Sequence, residues 1–251
     1  MLLSNILDVI NPQEIQSYKK NQRIEYITAN SKLIKKNSIY ISDFNKEIKK
    51  TFVNEAINKG AVAILTNKKI HALKVTQIIV KNLSKAVNQI LYSLKPFPPH
   101  NIIGITGTNG KTSVVWLVSS ILKLSGLDVK SLGTLGYYEN LKKINDVLLT
   151  TPEREELHQL SHSKLSKKTE FVFEVSSHGI SKKRIKKLPI NIAAITNISQ
   201  DHLDYHKTFK NYQNTKFKIF LKYLSKQGVA ILNDNINHID YLKHKLKKNN
   251  I

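Results

Sequence analysis

The sequence predicts two α/β units in tandem: a small one over residues 1–96 and a second, over 97–251, built on a mostly parallel sheet around a glycine-rich turn. Three observations lead there. Short apolar runs alternate with amphipathic stretches of helical period in both parts of the chain, the pattern of a sheet covered on both faces. The segment K-P-F-P-P-H (Lys95 to His100) divides the chain, because three prolines within four residues continue neither helix nor ladder. Residues Gly104 to Ser113 read G-I-T-G-T-N-G-K-T-S, a turn set between an apolar run and an amphipathic one.

In the first unit, Ser38 to Ile41 reads as a strand, Thr51 to Lys59 as a helix ended by Gly60, Ala61 to Leu65 as a strand and Ser84 to Leu94 as a helix. In the second, 101–106 reads as a strand, 112–124 as a helix and 128–132 as a strand. A helix opens at Thr151-Pro152-Glu153, since proline suits the first helical position and acidic residues suit the first turn. Strands follow at Glu170 to Val175 and Ile190 to Thr196, then a helix over Thr208 to Leu224 and a strand at Val229 to Leu232.

With 41% hydrophobic residues over 251 positions, the chain has material for two cores. No apolar run nears the roughly 18 residues that span a bilayer, and Met1 to Ile10 lacks the basic start and cleavage pattern of a signal peptide. A cytoplasmic protein without membrane insertion is expected. Zero cysteines exclude disulfides, thiolate zinc sites and cysteine nucleophiles. The net charge of +22 suggests a nucleic-acid partner. Against that, only three of the 40 basic residues are arginine (Arg23, Arg154, Arg184), and the lysines are scattered. The runs Lys182 to Lys187 and Lys243 to Lys248 read as solvated faces or a frayed tail, so no specific nucleic-acid binding is expected.

The glycine-rich turn is a phosphate cradle. Gly107 and Gly110 leave backbone N–H groups free to converge on phosphate oxygens, with Thr108, Asn109 and Ser113 completing the loop. Lys111 belongs against the β- and γ-phosphates of ATP, and the Thr112 hydroxyl on Mg²⁺. The loop is a variant, since the usual G-x-x-x-x-G-K-[ST] spacing asks for glycine where Ile105 stands. Glu174 ends an apolar strand, where a charge must be paired or metal-bound: it is either a ligand of the nucleotide's Mg²⁺ or the partner of a lysine. Ser176 and Ser177 either donate to a substrate or cap the next turn. The exit loop after 190–196 collects Asn197, Asp201, His202, Asp204 and His206, with His202 open to a metal or a structural role.

The strings G-T-N-G-K-T (107–112), L-T-T-P-E (149–153), E-V-S-S-H-G-I (174–180) and T-N-I-S-Q-D-H-L-D-Y-H (196–206), in this order, closely resemble the Mur ligases. Within the family they resemble the member that extends UDP-MurNAc-L-Ala-D-Glu with a diamino acid. The resemblance implies an ATP- and Mg²⁺-dependent ligase of peptidoglycan synthesis. In such an enzyme a carboxylate is phosphorylated and the amine of meso-diaminopimelate or L-lysine displaces phosphate from the acyl phosphate. It places Gly107 to Ser113 on ATP, Thr150, Thr151, Ser176 and Arg184 on the muramoyl peptide, and Glu174 and His202 on magnesium. It also singles out Lys216, in Y-Q-N-T-K-F, as the position of a carbamylated lysine that ligates magnesium.

The first unit resembles the family's UDP-binding domain more faintly. N-S-K (Asn30 to Lys32) makes Ser31 a candidate uracil or ribose contact, whereas Phe44 to Lys49 lacks the glycines and aspartate of the family's next loop. Family members continue past I-L-N-D-N (231–235) through the rest of the central domain and a C-terminal domain. By this resemblance the central domain is expected to be truncated and the fragment inactive alone, needing a C-terminal portion in cis or in trans. The rival readings are a folylpolyglutamate synthetase-like ligase and a non-catalytic nucleotide-binding remnant.

Overall fold

The computed structural model describes residues 1–19, 21–43, 50–71, 73–94, 97–162, 165–166 and 168–248. Its chain divides into two compact units, Met1–Phe97 and Pro98–Ile251. Lys95 and Pro96 of the proline-rich segment, and the stretch Phe44 to Lys49, lie outside the described residues.

The first unit runs α1 (Leu3–Ile10), β1 (Glu14–Gln16), β2 (Tyr26–Thr28), a 3-10 turn at Ser31–Leu33, β3 (Ser38–Ser42), α2 (Lys50–Asn58), β4 (Ala61–Thr66), β5 (Thr76–Ile79) and α3 (Leu83–Leu94). Its sheet has the order β1-β5-β4-β3-β2, parallel except for β1 at the edge. Strand alternation divides the core in two. Ile39, Ile41, Ala63 and Leu65 face the cluster that holds Leu3, Ile6 and Ile10 of α1 and Val87 and Ile90 of α3. Tyr40 and Ile64 face Val53 and Ala56 of α2 on the other side. Unread from the sequence were α1, whose buried residues fall at helical spacing, and β1, β2 and β5, which are three or four residues long and too short to show a period.

The second unit runs β6 (Asn101–Thr106), α4 (Lys111–Leu124), β7 (Asp128–Gly133), β8 (Gly136–Glu139), β9 (Lys142–Asn145), α5 (Arg154–Ser161), β10 (Thr169–Glu174), α6 (Ser177–Ser181), β11 (Ile190–Ile195), α7 (Leu203–His206), α8 (Phe209–Lys218), β12 (Leu224–Ile231) and α9 (Ile239–Lys248). The strand order is β12-β11-β6-β10-β7-β8-β9. The five strands from β12 to β7 are parallel, and β8 and β9 extend the edge as an antiparallel hairpin. The chain leaves β6 toward β7 and β10 on one side and later crosses to β11 on the other, so the loop after β6 lies at a topological switch point. One sheet face carries Phe171, Phe173, Ile180, Phe217, Phe220, Leu242 and Leu246 in a single cluster. The other carries Ile103, Ile105, Val129 and Val172 against Val115 of α4.

One expectation is corrected here. The helix expected over Thr208 to Leu224 is α-helical only to Lys218; a π-turn follows at Ile219–Tyr223, and Leu224 already opens β12. The wider turn lets consecutive Ile219 and Phe220 both reach the core. Of the two readings of Lys243 to Lys248 the solvated face holds: the run belongs to α9, which buries Leu242 and Leu246 and leaves most of its lysines to solvent. Among the described residues, no helix is long and apolar enough to cross a membrane.

Candidate nucleotide and substrate site

The loop from Gly107 to Gly110 leaves β6 and enters α4 through two glycines with positive φ, +146° at Gly107 and +79° at Gly110. A side chain at Gly107 would also overlap the Thr196 hydroxyl. The neighbouring strand exit clamps the loop. Asn197 accepts from the Asn109 N–H (3.0 Å) and donates to the Asn109 carbonyl (3.0 Å), while Thr196 Oγ1 donates to that carbonyl at 2.6 Å. Thr108 Oγ1 accepts from Ser199 N (3.0 Å) and pairs with the buried Tyr212 hydroxyl (3.0 Å). The first N–H groups of α4, from Lys111 to Ser113, therefore open at a fixed mouth without intrahelical acceptors.

Two ammonium groups converge on that mouth. Lys111 Nζ donates to the carbonyls of Gly107 (3.0 Å) and Thr108 (2.7 Å), and Lys216 Nζ donates to Gly107 at 2.6 Å. Lys216 is 1% exposed and stands 4.6 Å above the Tyr212 ring. Burial, and then the Lys111 charge, push its amine down to about 7, with Asp201 opposing. Burial also lowers Lys111, with Glu174 and Asp201 opposing. Positive charge beside free N–H groups makes a polyanion site.

Glu174 is 1% exposed and, among the described residues, forms no ion pair with a lysine. Its Oε1 accepts from the Thr112 hydroxyl (2.9 Å) and the Thr134 N–H (2.8 Å). The Glu174 carboxylate and the Thr112 hydroxyl oxygen suit magnesium, which takes one or two carboxylates and fills its shell with phosphate and water. Among the described residues, no group of three His, Cys, Asp or Glu could hold a metal. His202, also expected to serve magnesium, lies 3.4 Å from Asp201 and edge-on to His178, at 4.9 Å between ring centroids. The buried His206 and the exposed Tyr205 complete that group.

The Thr150–Thr151 loop docks on the end of β10. Thr151 Oγ1 donates to the Glu174 carbonyl (2.9 Å) and accepts from Ser176 N (2.9 Å), and it is fully buried. Ser176 caps α6 through Gly179 N, and Thr150 Oγ1 lies 3.1 Å from Thr134 Oγ1. Arg184, expected to offer its fork to a carboxylate or phosphate, is instead turned inward. At 6% exposure it donates to the Thr151 carbonyl (3.0 Å) and pairs with Glu153 (2.8 Å). In the first unit, Ser31 is 5% exposed and donates to Glu55 at 2.6 Å. Sequence reasoning missed Gly133, Thr134 and Tyr212; a G-T-L-G string at a strand end (133–136) was the available signal for the first two.

A strand, a glycine-rich turn and a Lys-Thr helix N-terminus at a switch point form a P-loop type of phosphate cradle. The family model of the Mur ligase middle domain matches residues 105–251, and the chain belongs to the Mur ligase family. It is similar to the UDP-N-acetylmuramoyl-L-alanyl-D-glutamate–2,6-diaminopimelate ligase of Rickettsia prowazekii, at 35% identity over 92% of this chain and 49% of that protein. A solved structure of a ligase of that name superposes with a TM-score of 0.67 at 23% identity, over 97% of this chain and 50% of the other. A MurF ligase from Thermotoga maritima in complex with ADP superposes with a TM-score of 0.59 at 18% identity, over 90% and 48%. The chain spans about half the length of the curated relatives it matches.

Proposed function

We propose that this chain carries the nucleotide site and the UDP-substrate-binding unit of an ATP-dependent ligase that joins a diamino acid to UDP-MurNAc-L-Ala-D-Glu in peptidoglycan synthesis. The observation that carries the reading is the convergence of Lys111, Lys216 and the start of α4 on one loop, beside the Thr112–Glu174 oxygen pair. The name of the Rickettsia relative favours 2,6-diaminopimelate over lysine as the amino acid.

In this reading the γ-carboxylate of the substrate's D-glutamate attacks the γ-phosphorus of ATP and ADP leaves. The diamino acid's amine then attacks the acyl carbon, loses a proton and expels phosphate. Lys111 and the N–H groups of Lys111 to Ser113 offset charge on the transferring phosphoryl group, where little covalent work is asked of the protein. Thr112 and Glu174 hold the nucleotide's magnesium, which when bound lowers the repulsion between carboxylate and triphosphate. The unprotonated fraction of the Lys216 amine would add to CO₂ with loss of a proton, and the carbamate and His202 would serve a second cation. Thr150 and Ser176 face the muramoyl peptide, and Arg184 braces their loop from behind.

Titration of the purified chain with ADP, in magnesium and in EDTA, tests the reading. Lys111→Ala weakens binding in both, whereas Glu174→Ala removes only the gain due to magnesium. Absence of ADP binding by the wild-type chain would refute it.

A further inference from the structure

The Glu174 carboxylate is aimed by the turn that ends β7. Resting on the nucleotide-site reading above, we propose that Thr134 is a positioning residue for the magnesium-nucleotide site, with Gly133 supplying the space it needs. β7 and β10 are parallel neighbours with Leu132 opposite Phe173, which brings Gly133 beside Glu174. A Cβ at Gly133 would lie 2.6 Å from both Cγ and Cδ of Glu174, and closer still to Oε1. Gly133 has no positive φ, so the backbone itself would accept alanine; the carboxylate is what excludes it.

Thr134 holds the carboxylate from two directions. Its N–H donates to Oε1 (2.8 Å), and its hydroxyl lies 3.4 Å from Oε2. The Thr112 hydroxyl shares Oε1, and when its oxygen turns to a cation the Thr134 N–H remains as the fixed support. The Thr134 hydroxyl also stands 3.1 Å from Thr150 Oγ1. One side chain thus ties the carboxylate to the loop assigned to the muramoyl peptide, so order in one site supports order in the other.

The test titrates the purified chain with ADP in magnesium and in EDTA. It is read through Trp116, the only tryptophan, one turn beyond Thr112 in α4. The ratio of the two affinities is the quantity of interest, with Glu174→Gln setting its floor. Gly133→Ala is expected to bring the ratio to that floor. Thr134→Val, which keeps the N–H, should lower it roughly three- to tenfold, the worth of one hydrogen bond. Thr134→Ser retains it, and affinity in EDTA and melting temperature change little in all three. An unchanged ratio in Thr134→Val and Gly133→Ala overturns the proposal. So does a parallel fall of EDTA affinity and melting temperature, which would assign only a structural role. If Gly133→Ala does not fold, the two Thr134 variants decide. A wild-type chain whose ADP affinity ignores magnesium sinks the nucleotide-site reading itself, a different result from variants that keep a normal ratio.

Discussion

Acidification to about pH 5 should cost the second unit several kcal/mol, and two stacked imidazoles are the cause. His158 in α5 and His162 just beyond it have ring centroids 3.8 Å apart with planes 10° from parallel, and are 7% and 2% exposed. Burial holds His158 down at about 3, helped by the neighbouring His162 and Arg154 charges. Burial likewise holds His162 at about 4, helped by Lys130, while a backbone hydrogen bond to His158 opposes. Both folded values lie below the unfolded 6.5, so this stability is complete above about 6.5. It is lost as pH falls through that value, because the unfolded chain takes up protons that the native pair refuses. At about pH 5 each ring contributes ~2 kcal/mol of loss, at 1.36 kcal/mol per pH unit below 6.5. Together that is ~4 kcal/mol, against a typical total of about 5–15 kcal/mol. Urea unfolding followed by Trp116, which lies in this unit, should show the midpoint falling by roughly 2 M between pH 7.5 and 5. His158→Leu should recover about half of that fall. His178 and His206, also lowered by burial, act alike in both proteins and cancel in the comparison. A variant whose loss on acidification equals that of the wild type refutes the argument.

Three further outcomes are expected. Gly107→Ala should lose ~2 kcal/mol or more of stability, because its φ of +146° disfavours any Cβ and Thr196 occupies the space; a urea midpoint equal to wild type would contradict this. Arg184→Met should cost about 1–3 kcal/mol by leaving the Thr151 carbonyl without its buried donor; thermal unfolding measures it, and an unshifted midpoint counts against the inward role of the guanidinium. Incubation with isotope-labelled bicarbonate should give a carbamate NMR signal that Lys216→Arg abolishes, since arginine keeps its charge and offers no free amine. A signal persisting in the variant would place the carbamate elsewhere.

What the sequence by itself determined was local. The loop from Gly107 to Thr112 was legible because glycine placement and a strand–turn–helix order are properties of adjacent residues. The apolar runs of β4, β6, β10 and β11 announced themselves through composition over a few positions, and Glu174 stood out because a charge at the end of such a run demands a partner. What only the tertiary structure decided depends on residues far apart in the chain. Asn197 reaches Asn109 because strand order sets β11 beside β6, and no spacing encodes that pairing. Thr134 meets Glu174 for the same reason, through β7 and β10. Lys216 is stripped of water beside a second ammonium group, and desolvation is a property of the packed volume. The inward turn of Arg184 follows from Thr151 and Glu153 being folded against it. Composition and periodicity placed the elements; three-dimensional proximity decided which of their groups could act.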